Sequence, residues 1–228
     1  MRNNRTVWLA AAATMVAASS ALGQITGSEH DFSSQGWSGG EICKPCHTPH
    51  FANPDLDFRL WNHALTTATY ELHGGTGTAA DDFDLVSRLC LSCHDGTVAL
   101  DAFGGMAGSA TFIPASANLS RGDAGVNDLT DDHPVGNSEG IYYAYTDPDA
   151  PSFWMGAFND VNSPTGSRPS VGPTGASLPL KKWDDGAGTI RNVVSCASCH
   201  EVHNRGGYDH LTRISNASSA MCLTCHIK

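Results

Sequence analysis

The segment CASCHEVH at residues 196–203 decides the fold class of this chain, and its pattern returns as CKPCHTPH at residues 43–50. Each of these segments is followed along the chain by a second C-x-x-C-H motif, which reads CLSCH at 90–94 and CLTCH at 222–226. The four motifs contain all 8 cysteines of the 228-residue chain. Because the two couples share their order and their flanking residues, we interpret the chain as an internal duplication.

The pattern C-x-x-C-H is the attachment signature of c-type haem. Its two thiols reach the two vinyl groups of one porphyrin, and the adjoining histidine is placed to bind the iron from one side. Zinc ribbons, thioredoxin-like redox pairs and structural disulfides also use paired cysteines, but none of them explains a histidine after all four motifs. We therefore predict four c-type haems with their irons. The predicted attachment residues are Cys43, Cys46, Cys90, Cys93, Cys196, Cys199, Cys222 and Cys225, and the predicted proximal iron ligands are His47, His94, His200 and His226.

Seven further histidines are available for the four distal iron positions. His50 and His203 each follow a proximal histidine by three residues, which on a helical turn places the two Cβ atoms about 5–6 Å apart. A histidine beside the proximal ligand cannot reach across its porphyrin, so we expect both to bind a neighbouring haem. His63, beside a loose helical stripe, and His133, in a loop made rigid by a following proline, are the other predicted distal ligands. The reserves, interpreted as surface residues, are His73, His210 and, lowest because it lies near the mature N-terminus, His30.

An export signal is predicted at the start of the chain. Arg2 and Arg5 precede an apolar stretch at 7–18, and a cleavage site is expected before Gln24. The apolar stretch is too short to span about 30 Å of hydrocarbon, so we expect no membrane span after cleavage. The mature protein would be secreted across the inner membrane to the periplasm or the extracellular cell surface. The predicted organisation is a signal peptide at 1–23, a half with haems 1 and 2 at 24–140, a Gly/Pro/Ser-rich connecting insert at 141–190, and a half with haems 3 and 4 at 191–228.

The charge balance bears on the class of partner. The chain has 13 Lys and Arg against 23 Asp and Glu, a formal net charge of -10. A polyanion would be repelled by this surface, so nucleic acid is not an expected partner. The acidic surface favours redox partner proteins with a basic patch, such as other cytochromes or reductases.

The predicted fold class is mainly α and irregular, with short helices and long loops wrapped around four stacked c-type haems. DDFDLVSRLCLSCH at 81–94 indicates a short helix that enters its motif, and DHLTRISNASSAMCLTCH at 209–226 is expected to repeat that arrangement. Four porphyrins in the mature chain leave roughly 51 residues for each, so the cofactors would supply much of the core. We therefore expect the chain without haem to be largely unfolded.

The chain resembles the multihaem c-type cytochromes with doubled C-x-x-C-H domains, which include cytochrome c3-like and extracellular filament-forming cytochromes. The resemblance rests on CKPCHTPH, LWNH, LCLSCHDGTVALD, DDHPVG, SCASCHEVHN and SNASSAMCLTCH. It implies electron transfer through closely packed bis-His haems in anaerobic respiration, and distal roles for His50, His63, His133 and His203. A tetrahaem cytochrome of this kind is not expected to be an enzyme.

Two other functions stay open on the sequence. A small multihaem reductase would need one haem with an open iron face, and nothing in the sequence demands one. Some similar tetrahaem cytochromes polymerise, so the chain could instead be a subunit of a conducting extracellular filament. In such a homopolymer a distal histidine can come from the next subunit.

Overall fold

The computed structural model describes residues 24–50, 52, 56, 60–73, 77–120, 127–137, 157–158, 169–170 and 178–225. Most of these residues form loops and turns between short elements. The predicted signal peptide, most of the predicted insert and the predicted ligand His226 lie outside the described residues.

The regular elements of the described residues are short. Two α-helices, α1 (Leu85–His94) and α2 (Cys196–Cys199), each carry a C-x-x-C pair. Single 3-10 turns lie at Phe32–Ser34, Gly36–Ser38, Ala80–Asp82, Ala115–Ala117, Asp209–Leu211, Ala217–Ser219 and Cys222–Thr224. The strands are β1 (Thr69–Glu71), β2 (Gly77–Ala79), β3 (Ala157–Phe158), β4 (Pro169–Ser170), β5 (Lys181–Asp184) and β6 (Ile190–Val193). They form three antiparallel pairs, β1 with β2, β3 with β4 and β5 with β6.

Helix α1 begins where Asp84 caps its first turn. The Asp84 carboxylate accepts hydrogen bonds from the backbone N–H groups of Val86 (3.0 Å) and Ser87 (3.3 Å). These bonds satisfy two of the donors that a helix start leaves unpaired. The helix buries Leu89 and Leu91 against the rest of the chain. The helix predicted to enter the second motif is therefore confirmed.

The helical stripe predicted around His63 is wrong. His63 instead forms an antiparallel bridge with Phe103, and β1 follows six residues later. Threonine, which is frequent in this segment, has a branched Cβ that favours extended backbone over a helix. His63 is therefore carried by an extended segment.

The helix expected ahead of the fourth motif is also wrong. The described residues from Asp209 onward form separate 3-10 turns. His210 and Ser218 have left-handed backbone, with φ of 56° at both, which interrupts any continuous helix. The second motifs of the two halves thus differ in local structure although their sequences are similar.

The described hydrophobic core is divided into two small clusters. The larger contains Tyr70, Leu72, Ala80, Phe83, Leu91 and Leu129. The smaller contains Leu180 and Val194, with Val135 and Cys225 packed against it. Both clusters adjoin a C-x-x-C-H motif, since Leu91 lies within the second motif and Cys225 within the fourth.

The two duplicated halves meet where α1 packs against α2. The Ser87 and Ser195 hydroxyl oxygens lie 3.1 Å apart, and the Ser195 hydroxyl donates to the Asp84 carboxylate at 3.2 Å. Gly136 joins the same place, because its carbonyl accepts from the Asp84 N–H and its N–H donates to the Val194 carbonyl at 2.7 Å. Gly136 has φ of +76°, and a Cβ there would lie 2.8 Å from the ring of Phe83. The junction is therefore closely packed and polar.

Replacing Asp84 by Ala should lower the free energy of unfolding by about 2 kcal/mol, because the α1 cap and the acceptor for Ser195 are both lost. Asp84→Ser keeps a capping oxygen but is too short to reach Ser195, so it should cost less. The control Asp81→Ala removes an exposed carboxylate from the same region and should cost under about 0.5 kcal/mol. Urea unfolding of the haem-loaded protein measures all three. Equal losses for the Ala and Ser variants would contradict the capping role given to the Asp84 carboxylate.

None of the helices in the described part of the chain is long and apolar enough to cross a membrane.

Candidate functional site

The eight cysteine thiols are all free. Burial raises the pKa of Cys46, Cys199 and Cys225 to about 11, because a thiolate is disfavoured away from water. Disulfides require the sulfurs to pair, so these free thiols fit thioether bonds to a porphyrin better than disulfide bonds.

The first motif is held by a chain segment that returns to it. The N–H of Thr48 donates to the Leu60 carbonyl at 3.0 Å, and the N–H of Asn62 donates to the Cys46 carbonyl at 2.9 Å. The Asn62 side-chain amide also donates to the Lys44 carbonyl at 2.7 Å. Leu60 turns the returning segment with a left-handed backbone, φ 61°. These bonds fix the backbone of the motif and the direction in which it continues.

The third motif repeats this arrangement bond for bond. The N–H of Glu201 donates to the Leu211 carbonyl at 2.7 Å, and the N–H of Arg213 donates to the Cys199 carbonyl at 2.8 Å. The Arg213 side chain donates to the Ala197 carbonyl at 2.7 Å, and Leu211 has φ of 56°. The first and third motifs thus share a local structure, which agrees with the duplication seen in the sequence.

After the first and third motifs, the backbone has a different conformation from the one predicted. His47 and His200 lie in antiparallel bridges, and His200 has φ -105° and ψ 151°. The helical turn predicted to stack His50 and His203 on their proximal neighbours is therefore wrong. Extended backbone directs neighbouring side chains to alternate sides, so the two histidines of each segment do not share one helical face.

Five histidine rings direct Nδ1 at an oxygen atom. Nδ1 lies 2.8 Å from the Ala64 carbonyl oxygen in His63, 2.9 Å from the Ala117 carbonyl oxygen in His94 and 2.9 Å from the Pro134 carbonyl oxygen in His133. It lies 2.9 Å from the His210 carbonyl oxygen in His200 and 3.1 Å from the Glu201 carboxylate oxygen in His203. A neutral imidazole that donates from Nδ1 keeps its lone pair on Nε2. Metal-binding histidines are commonly oriented by such a bond. In this tautomer Nε2 is the ring nitrogen that would bind a metal, but at His63 that atom lies 3.1 Å from the Ala99 carbonyl oxygen.

Two pairs of imidazole rings have centroid distances that would fit one iron between the two rings. The ring centroids of His47 and His203 lie 6.4 Å apart at 18°, and those of His30 and His94 lie 6.1 Å apart at 45°. An imidazole nitrogen binds a metal at about 2 Å, so rings on opposite sides of one iron have centroids about 6 Å apart. The structure thus brings the predicted distal His203 of the second half to the predicted proximal His47 of the first half.

The other predicted distal histidines have three different environments. His50 is exposed, and its carbonyl accepts from the Thr48 hydroxyl at 2.6 Å. His63 is 2% exposed, with Nε2 at 3.1 Å from the Ala99 carbonyl oxygen and 3.7 Å from the Cys93 sulfur. His133 is exposed in a loop whose Val135 packs in the cluster that includes Cys225. The loop of His133 therefore adjoins the fourth motif.

His30 is the candidate ligand with the least support from the sequence alone. Burial, followed by the charge of His94, lowers the pKa of His30 to about 4, so its imidazole is neutral at pH 7, as a metal ligand must be. Closeness to the predicted mature N-terminus argued against it, but Phe32 and Trp37 anchor the segment, with ring centroids 5.2 Å apart. Phe32 and Trp37, which follow His30 closely in the sequence, are the residues from which an ordered segment could have been predicted.

The attachment cysteines of successive motifs are neighbours in space. The thiols of neighbouring motifs interact electrostatically, and where α1 packs against α2 the Cys196 N–H donates to the Ser87 hydroxyl at 3.3 Å. The neighbouring sets are Cys46 with Cys93, Cys90 with Cys196, and Cys199 with Cys222 and Cys225. The four C-x-x-C pairs therefore follow one another in space in chain order, which the sequence could not establish.

A buried carboxylate lies directly after the proximal histidine of the second motif. Asp95 is 1% exposed, and its oxygens accept from the hydroxyls of Thr66 (2.6 Å) and Tyr70 (2.6 Å) and from the N–H of Thr97 (2.7 Å). The Asp95 carbonyl accepts from the Ser120 hydroxyl at 2.7 Å. This network fixes the backbone that carries His94. It could not be predicted from the sequence, because a single polar residue after a motif forms no pattern.

Comparison with known proteins matches the C-terminal part of the chain. Residues 190–228 match the family model of the doubled CXXCH motif. No curated protein and no solved structure matches the chain. The match supports a c-type cytochrome-like haem-binding domain with covalently bound c-type haem, and it indicates electron transfer in general.

Proposed function

We propose that the chain is a tetrahaem cytochrome c that transfers single electrons through closely packed bis-His haems in periplasmic or extracellular respiration. The observation that carries the proposal is the continuous series of neighbouring attachment cysteines from the first motif to the fourth. The matched region covers two of the four motifs. The other two have the same C-x-x-C-H residues, and the first shares the backbone arrangement of the third.

In this proposal the polypeptide positions the haems and their histidine ligands. A bound c-type haem supplies an iron that takes one electron from a donor protein and gives one electron to an acceptor protein. The thiols would hold each porphyrin through thioether bonds, and the bonds from Nδ1 to oxygen in His94, His200 and His203 make Nε2 the atom that would bind iron. Helices α1 and α2, which carry the second and third motifs, pack together, and this supports one conducting series through the duplicated halves rather than two.

Two of the proposed distal ligands are supported by the geometry and two by the family resemblance. His203 is proposed as the ligand opposite His47, on the basis of the 6.4 Å ring spacing. His133 is proposed for the fourth haem, because its loop packs beside Cys225. His50 and His63 are proposed for distal positions on the resemblance. The acidic chain is proposed to act with redox partner proteins that present basic patches.

The number of haems tests this function. Protein exported by a host that matures c-type cytochromes should carry four haems per chain by intact mass, and should take up four electrons in a reductive titration. The paired change Cys43→Ala with Cys46→Ala should remove one haem and one electron, because both thioether bonds of the first site are lost. Met106→Ala, at an exposed position, is the control and should change neither count. An unchanged haem count in the Cys43 and Cys46 variant would refute the tetrahaem assignment.

A further inference from the structure

We propose that His30 is the distal iron ligand opposite His94, which makes the N-terminal segment part of the second haem site. This inference rests on the proposed function, since it assigns a ligand to one of its haems. His30 takes the distal position that the family resemblance gives to His63, so the four distal ligands become His30, His50, His133 and His203.

The ring spacing is the first support. The centroids of His30 and His94 lie 6.1 Å apart, close to the 6.4 Å of His47 and His203. The Nδ1 of His94 is occupied by the Ala117 carbonyl at 2.9 Å. Its Nε2 is therefore the atom that would bind iron, and the His30 ring lies beside the His94 ring with its centroid 6.1 Å away.

The segment that carries His30 is anchored on both sides of it. Before His30, the Gln24 carbonyl accepts from the side-chain amide of Asn204 at 3.3 Å. After it, the ring of Phe32 packs against Trp37, and Trp37 packs against the buried Phe103 with centroids 6.2 Å apart. A histidine between two anchors is held in place at a lower entropic cost than one on a free terminus.

His63 is the competing candidate for the same haem. Its ring nitrogens lie 3.7 and 3.9 Å from the Cys93 sulfur. The thioether sulfur is bonded at the porphyrin edge, whereas an axial ligand lies over the porphyrin centre. A ring in contact with that sulfur is therefore at the edge of the second site, and the ring opposite His94 is at its centre.

Replacing His30 tests the assignment through the spin state of the iron. In His30→Ala, one of the four haems should become high-spin in the oxidised absorption and EPR spectra, and added imidazole should restore the low-spin state. His30→Met should keep all four haems low-spin and raise the potential of one, because methionine ligation raises haem potentials. The matched control His73→Ala should leave all four haems low-spin. Four low-spin haems in His30→Ala without added imidazole would overturn the assignment.

A second background identifies which haem His30 serves. In the variant Cys90→Ala with Cys93→Ala, the second haem is absent, so adding His30→Ala should leave the three remaining haems low-spin. A new high-spin haem in that background would overturn the pairing with His94. The haem count of the unmodified protein tests the proposed function separately, so failure of the ligand assignment and failure of the function are distinguishable.

Discussion

The full chain with all eight cysteines replaced by Ala should be largely unfolded. The described core clusters are small, and each adjoins a C-x-x-C-H motif. Residues such as Val135 and Leu180 pack beside Cys225, where a porphyrin edge would complete their burial. Without haem these side chains lose apolar contact, while the chain still has to meet the entropic cost of ordering, about 1–2 kcal/mol per residue for the backbone.

Circular dichroism and thermal unfolding measure this effect. The haem-loaded protein should show a cooperative transition, and the cysteine-free chain should show a spectrum of unfolded chain with no cooperative transition. The variant Cys222→Ala with Cys225→Ala lacks one haem and should melt below the intact protein but above the cysteine-free chain. A cysteine-free chain that melts cooperatively at the temperature of the haem-loaded protein would show that the polypeptide core is sufficient by itself.

The parts of the site that depend on covalent chemistry could be predicted from the sequence. The spacing within C-x-x-C-H fixes which thiols and which histidine belong together, because three residues of backbone link them. Helix α1 could also be predicted, since Asp84 provides a local cap and the apolar residues that follow provide a buried face. These features depend on interactions between residues close in the chain.

The features that were missed depend on contacts between distant residues. The segment of His63 contains helix-compatible leucines, but its pairing with Phe103, 40 positions further along the chain, draws it into an extended form. The pairing of His203 with His47 joins residues from opposite halves of the duplication. No local periodicity reports such contacts, so the number of available histidines could be counted but their partners could not be assigned.

Replacing Asp95 by Ala should lower the free energy of unfolding by about 3 kcal/mol, because buried donors lose their acceptor. The donors are the hydroxyls of Thr66 and Tyr70 and the N–H of Thr97. Burial, followed by the hydrogen bond to Asp95, raises the pKa of Tyr70 well above its usual range, so its hydroxyl stays protonated and donates. The control Asp101→Ala removes a carboxylate that accepts from the N–H of Ser109 at an exposed position, and should cost under about 0.5 kcal/mol.

The charge of Asp95 should also act on the second haem, and this effect can be separated from stability. Every described contact of the carboxylate comes from a donor, which is the environment of an ionised group. A buried negative charge next to His94 favours the oxidised iron, so Asp95→Asn should raise the potential of one haem. Tyr70→Phe removes one hydrogen bond and about 1 kcal/mol of stability but keeps the charge, so it should not raise that potential. Potentiometric titration of both variants separates the two effects, and equal potentials in them would mean that Asp95 acts only through packing.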